Sequence, residues 1–230
     1  MHIPDGFLDP FTAGLCYAVA LAFTAYALYR SRALANPERV TLASLLAAAI
    51  FAAQMLNWPL PGGTSLHMVG GALAGILLGP WLGELVIFVV LLIQCLVFGD
   101  GGITALGANV LNMAIIDVLV GYAFFALFTR LRGAGRAHRL LGAFLGGWLG
   151  ITLAGVACGL EIGYSPAFPY GVAITVPVMG LWHLALGVVE GIITALVVDY
   201  LATRAPSLVA GLGVEAAEGL LPAPGAEGVA

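Results

Sequence analysis

The chain has 230 residues, of which 61% are hydrophobic and only 9% charged, with a formal net charge of −4 and no lysine at all. Soluble domains are roughly half apolar and a quarter charged, so a soluble globular fold is excluded and lipid is the solvent for most side chains. The missing basic face excludes nucleic acid as a partner, and Cys16, Cys95 and Cys158, each inside an apolar run with no CxxC pair, read as small buried hydrophobes and not as a disulfide frame or thiolate metal site.

In chain order, Met1-His2-Ile3 runs into the stiff, turn-forming Pro4-Asp5-Gly6, so the amino end can fold back at the membrane surface. Apolar runs then follow at 11–29, 40–57, 66–79, 81–98, 106–129, 140–160 and 172–200. Several approach or exceed the about 20 residues that cross a bilayer, which predicts an all-α polytopic membrane protein with about seven transmembrane helices in one domain, 1–204. The first run is no cleaved signal: it lacks a basic leader and is followed by Arg30 and Arg32. In the second, Ala43, Ala47, Ala48 and Ala52 form a small-residue face on which another helix can dock, within this chain or on a partner. The third is short, and Gly71, Gly75 and Gly79 at four-residue spacing let a neighbouring backbone approach closely. Residues 205–230, rich in Gly, Ala, Pro and Glu, read as a flexible tail.

The arginines set the expected orientation. Arg30, Arg32 and Arg39 follow the first run, Arg130, Arg132, Arg136 and Arg139 the fifth, and Arg204 the seventh. Positive residues in short loops stay on the cytoplasmic side, so the N-terminus and the loops 58–65, 99–105 and 161–171 are expected outside and the C-terminus in the cytoplasm.

A histidine at position 2 offers three nitrogens from two residues: the α-amine of Met1, the main-chain nitrogen of His2 and its imidazole Nδ1. A metal would close a five-membered and then a six-membered ring, provided that Met1 is retained with a free amine; the bulk of His2 hinders its removal. His67, after the turn-rich 59–63 and at the expected outer end of the third run, is the candidate fourth nitrogen. Four nitrogens, one an amide that loses its proton, suit square-planar Ni(II) better than tetrahedral Zn(II) or oxygen-seeking Mg(II). The bland alternative is an exposed terminal histidine and an interfacial one satisfied by water.

The stretches MHIPDGFL at 1–8, 63–86, 91–115 and HLALGVVEG at 183–191 resemble the CbiM/NikM family, the membrane substrate-capture components of energy-coupling factor ABC transporters for cobalt and nickel. The resemblance runs from residue 1 to about 200. It implies a seven-helix fold whose N-terminal helix carries the amino end into a metal pocket, with Met1, His2 and His67 as ligands and Ni²⁺ or Co²⁺ as the transported ion. It further implies a transmembrane coupling protein, two cytoplasmic ATPase subunits, a small accessory membrane protein in some systems, and residence in the prokaryotic cytoplasmic (inner) membrane. With no lysine the chain cannot carry a Walker A motif, so ATP hydrolysis belongs to another polypeptide.

Polar residues at membrane depth default to functional hypotheses. Asn57, Gln94, Asp100, Asn109 and Asn112 are expected to orient His67 and the amino end by hydrogen bonding, with helix capping as the alternative. His183 and Glu190, about 10 Å apart along one helix, each need a partner from elsewhere: a structural polar network or a transient metal relay. Glu84 and Asp117 are further embedded acids without a named partner, and Ala43 and Ala47 are the expected contacts for the coupling protein. Two other classes stay open, a vitamin-capturing subunit of the same transporter superfamily and a membrane enzyme, although neither HExxH nor paired catalytic residues occur.

Overall fold

The computed structural model describes residues 1–32, 37–133 and 135–212. The long helices are α1 (Pro10–Ser31), α2 (Pro37–Gln54), α4 (Pro80–Ile93), α6 (Asp117–Arg132), α7 (Arg136–Tyr164) and α8 (Val172–Arg204). Between them lie the short hairpin β1 (Trp58–Pro59) and β2 (Ser65–Leu66), the eight-residue helix α3 (Gly71–Leu78) and the single turn α5 (Leu106–Asn109). Five segments are long and apolar enough to cross a membrane: Pro10–Ser31, Pro80–Phe98, Leu106–Leu131, Arg136–Tyr164 and Val172–Arg204.

Local chemistry explains the boundaries. Asp9 caps α1 through the N–H groups of Phe11 and Thr12, and Pro10 takes the first helical position, where no N–H is needed. Gly79, at φ 83°, turns the chain between α3 and Pro80 of α4. Helix contacts are close at glycines: a side chain at Gly75 would strike the Val118 carbonyl, and one at Gly121 would strike Ala72.

Two segments are wound as π-helix, Gln94–Phe98 at the end of α4 and Val110–Ile116 between α5 and α6. Such insertions shift which side chains face inward and recur at functional sites. Here they hold the buried Gln94 and Asn112, and the second is flanked by the buried Asn109 and Asp117.

The expected third span is helical in its second part only. At 1.5 Å per residue α3 is about 12 Å long, far short of a bilayer, and it is preceded by an extended strip. Gly63 lies against Met179 of α8, while Val69 and Gly70 reach Glu190 of the same helix. Those α8 residues are eleven apart, so the strip descends roughly 16 Å as non-helical chain. Irregular backbone at that depth survives only if protein satisfies its polar groups. Glu190 accepts from the N–H groups of Val69 (2.8 Å) and Gly70 (2.7 Å), Asp117 from that of Gly71 (2.9 Å), and the Gln54 side-chain amide donates to the Val69 carbonyl (2.7 Å).

The tail departs from expectation at its start. Residues 206–212 form two 3₁₀ turns, with Val209 and Leu212 buried and Gly211 against Phe125 of α6; the rest of the expected tail lies outside the described residues. Ala43 is buried in the chain's own core and Ala47 is partly so, which leaves Ser44, Ala48, Ala49 and Ala52 as the exposed alanines and serine of α2. Asp199 pairs with Arg136 and Arg139 at the arginine-rich end of the bundle.

Candidate metal centre at the amino terminus

The first three residues are in the core. Met1 and Ile3 have no exposed surface and His2 is 4% exposed. A buried main chain must place its polar groups. Asn109 does so for Ile3 with both halves of its amide, Oδ1 accepting from the Ile3 N–H at 2.8 Å and Nδ2 donating to its carbonyl at 3.1 Å, while Gly102 N–H donates to the same carbonyl at 2.9 Å. Asp5 then accepts from the N–H and hydroxyl of Thr104. The Met1 carbonyl faces Cys158 Sγ at 3.7 Å, six residues inside the end of α7. The α-amine of Met1 and the N–H of His2 both point at Ser65 Oγ, at 3.0 and 3.2 Å.

The imidazoles of His2 and His67 stack with centroids 4.5 Å apart. Each has one ring nitrogen tied and one without a partner. His2 Nε2 meets Gln94 Oε1 at 3.1 Å and His67 Nδ1 meets the Met68 carbonyl at 2.8 Å. An acceptor oxygen on one nitrogen fixes the proton there and leaves the lone pair on the other. The lone pairs are thereby assigned to His2 Nδ1 and His67 Nε2, both buried without a hydrogen bond. His2 Nδ1 also lies 3.5 Å from Asp100 Oδ1, a lone pair facing a carboxylate, which is an arrangement that a cation would relieve.

Burial keeps these nitrogens unprotonated. It pushes the α-amine down from 8.0 to about 5 and His2 from 6.5 to about 3, and it holds His67 well below the usual histidine value. Near neutral pH all three groups offer lone pairs. Among the described residues no group of three or more His, Cys, Asp or Glu side chains could hold a metal ion by itself.

The other expected residues divide. Gln94, Asp100 and Asn109 touch the amino end as described, and Asn57 donates to Asp100 Oδ2 at 3.1 Å. Asn112 does not reach it; its side chain donates to Glu161 of α7 at 2.6 Å, beside Cys16. Glu190 holds the strip that carries His67. His183 donates Nδ1–H to its own helix at Met179 O, 2.6 Å, and is buried between α8 and Gly155. Ser65, Gly102 and Thr104 were not singled out by sequence, and Asp117 only as an embedded acid without a partner, which the structure supplies in the N–H of Gly71; for Ser65 the available signal was its two-residue offset from His67, which puts both side chains on one face of an extended segment.

Residues 2–208 match the family model described as CbiM, cobalt uptake substrate-specific transmembrane region. The chain belongs to the CbiM family. A putative fused nickel transport protein of Archaeoglobus fulgidus is 57% identical over 209 residues, covering 91% of this chain and 68% of the relative. A fused nickel transport protein of Rhodobacter capsulatus is 39% identical, covering 91% of this chain and 64% of its own, and a cobalt transport protein of Sorangium cellulosum is 36% identical, covering 90% and 94%. A solved structure described as a truncated transition metal transporter superposes with a TM-score of 0.83 at 36% identity, covering 89% of this chain and 99% of that one. This CbiM-family chain is thus a multi-pass membrane component of cobalt or nickel transport.

Proposed function

We propose that the chain captures Ni²⁺ or Co²⁺ at the outer face of a prokaryotic cytoplasmic membrane, as the substrate-specific component of an ATP-driven importer. The ion is cargo. Its four ligands are the α-amine of Met1, the main-chain nitrogen of His2, His2 Nδ1 and His67 Nε2. The observation that carries this reading is the lone-pair assignment: the unpartnered ring nitrogen of His2 is Nδ1, the one that the six-membered chelate ring requires, and the stacked His67 keeps a buried, unpartnered Nε2 as the fourth donor. Nitrogen donors with a deprotonated amide favour Ni(II), whose d8 configuration prefers a square plane. Asp100 adds negative charge beside the site, and the names of the relatives agree with the choice of ion.

Energy comes from elsewhere. A transmembrane coupling protein and two cytoplasmic ATPase subunits, with a small accessory membrane protein in some systems, complete the importer, and the chain itself is no enzyme. With the N-terminus outside and the C-terminus in the cytoplasm, all eight arginines of the chain lie on the inner side.

Acetylation of the Met1 amine, or one alanine inserted between Met1 and His2, tests the reading. Both leave every original side chain in place and break the chelate. The loss of one of four ligands is expected to lower nickel affinity at least about a hundredfold, at 1.4 kcal/mol per tenfold. Unchanged affinity of the acetylated protein in a calorimetric titration refutes an N-terminal chelate, and saturable binding of a vitamin with none of nickel or cobalt makes the chain a capture subunit for a different cargo.

A further inference from the structure

Ser65 stands in an unusual relation to the proposed ligands. Its oxygen accepts from two nitrogens that flank a single residue, the Met1 amine at 3.0 Å and the His2 N–H at 3.2 Å. Both can point at one atom only if they lie on the same side of the Met1 Cα–C bond. The amine nitrogen, Cα, the carbonyl carbon, the amide nitrogen and the shared oxygen then close a five-membered ring of atoms. That is the ring an N-terminal metal chelate forms, with oxygen at the metal's corner and longer sides, about 3 Å against the roughly 2 Å of a metal–nitrogen bond.

Ser65 is also well placed to act with His67. It belongs to β2, paired across the hairpin with Pro59, and the single residue Leu66 separates it from His67, so both side chains face the amino end. The strip beyond them is anchored through Val69 and Gly70 to Glu190. One short segment therefore supplies a ligand and the group that aligns the two main-chain donors.

We propose that Ser65 presets the chelate: its hydroxyl holds the two main-chain nitrogens in the ring-closed arrangement, and the metal then takes the place of the oxygen, which turns aside without becoming a ligand. This rests on the N-terminal chelate proposed above. Ser65 is a positioning residue. Its effect is confined to how much of the metal-free protein already has the amine and amide aligned, and alignment that a protein must otherwise find costs affinity in proportion to the aligned fraction.

The test is Ser65→Ala beside Ser65→Thr, which keeps the hydroxyl, in the full chain purified in detergent. Ser65→Ala is expected to bind nickel about tenfold more weakly, the equivalent of one or two lost hydrogen bonds, and to exchange the His2 amide hydrogen faster when metal-free. Ser65→Thr is expected to restore both. The absorption band of nickel-loaded Ser65→Ala should keep the wild-type position, because no ligand has changed. Wild-type or tighter affinity in Ser65→Ala overturns the proposal, as does weaker binding with unaltered His2 exchange, or a shifted band. The acetylated wild-type protein separates the two levels. If acetylation leaves binding intact, the chelate itself is wrong; if acetylation abolishes binding while Ser65→Ala binds normally, only the role of Ser65 falls.

Discussion

Gly102→Ala is the substitution that should damage the site most without touching a proposed ligand. A methyl group at Gly102 would collide with the main-chain nitrogen of Asp5 and lie 2.7 Å from its Cα. Carbon atoms pack best at about 3.5–4.0 Å, so the amino-terminal segment has to withdraw by roughly 0.8 Å or more. The obstacle is backbone on both sides, and no rotamer change relieves it. Metal–ligand distances tolerate about ±0.2 Å, and the same withdrawal breaks the 2.9 Å hydrogen bond from Gly102 to the Ile3 carbonyl. Nickel affinity is therefore expected to fall at least about a hundredfold, or about 2.8 kcal/mol. Gly102, buried against the amino-terminal segment, lies in the loop between the membrane-spanning segments Pro80–Phe98 and Leu106–Leu131, so insertion and thermal stability of the bundle should be retained. Calorimetric nickel titration of the purified variant measures the loss. Gly14→Ala is the control: nothing lies within 4 Å of its added carbon, and it should bind as wild type does. Wild-type affinity in a folded Gly102→Ala protein would refute the docked position of residues 1–5 as the binding conformation.

Three further outcomes follow from the same geometry. His67→Ala removes the only proposed ligand outside residues 1–2, so nickel affinity should drop by about two orders of magnitude or more while the protein stays folded; equal titration curves would remove His67 from the site. Docking of the metal-free amino end should strengthen as pH rises from 5 to 8. In that window the released amine holds a proton that the buried one, at about 5, does not, a difference worth at most about 4 kcal/mol, and hydrogen-exchange protection factors of residues 2–5 that stay flat or fall would contradict it. A cysteine placed at Tyr170 should react with an impermeant maleimide from outside intact cells and one at Ala137 should not, against a quiet background because Cys16, Cys95 and Cys158 are buried; the reverse pattern would invert the membrane orientation.

Much of the molecule is decided by local sequence. Apolar runs of bilayer length must become helices because lipid offers no partner for the main chain, and the runs at 81–98, 106–129, 140–160 and 172–200 lie within the helical segments found there. The chemistry of Met1 and His2 is equally local, since both chelate rings are defined by covalent bonds. The pairing of those residues with His67 across 65 positions was legible because turn residues and arginines placed both at one end of the bundle.

What the sequence could not decide depends on contacts between distant segments. The run at 66–79 is as apolar as a span, yet its first part is extended, because Glu190 and Asp117 from two other helices satisfy the N–H groups that a helix would have satisfied internally. Asn109 and Asn112, three apart, look equivalent, but the π-helical segment that begins at Val110 sends one to Ile3 and the other to Glu161. Which nitrogen of each histidine keeps its lone pair is set by Gln94 and the Met68 carbonyl, and the alignment of the terminal amine with the His2 amide is set by Ser65. Composition and periodicity report which solvent each segment prefers; they carry no information on which donor meets which acceptor once water is excluded, and in this protein those pairings arrange the proposed metal site.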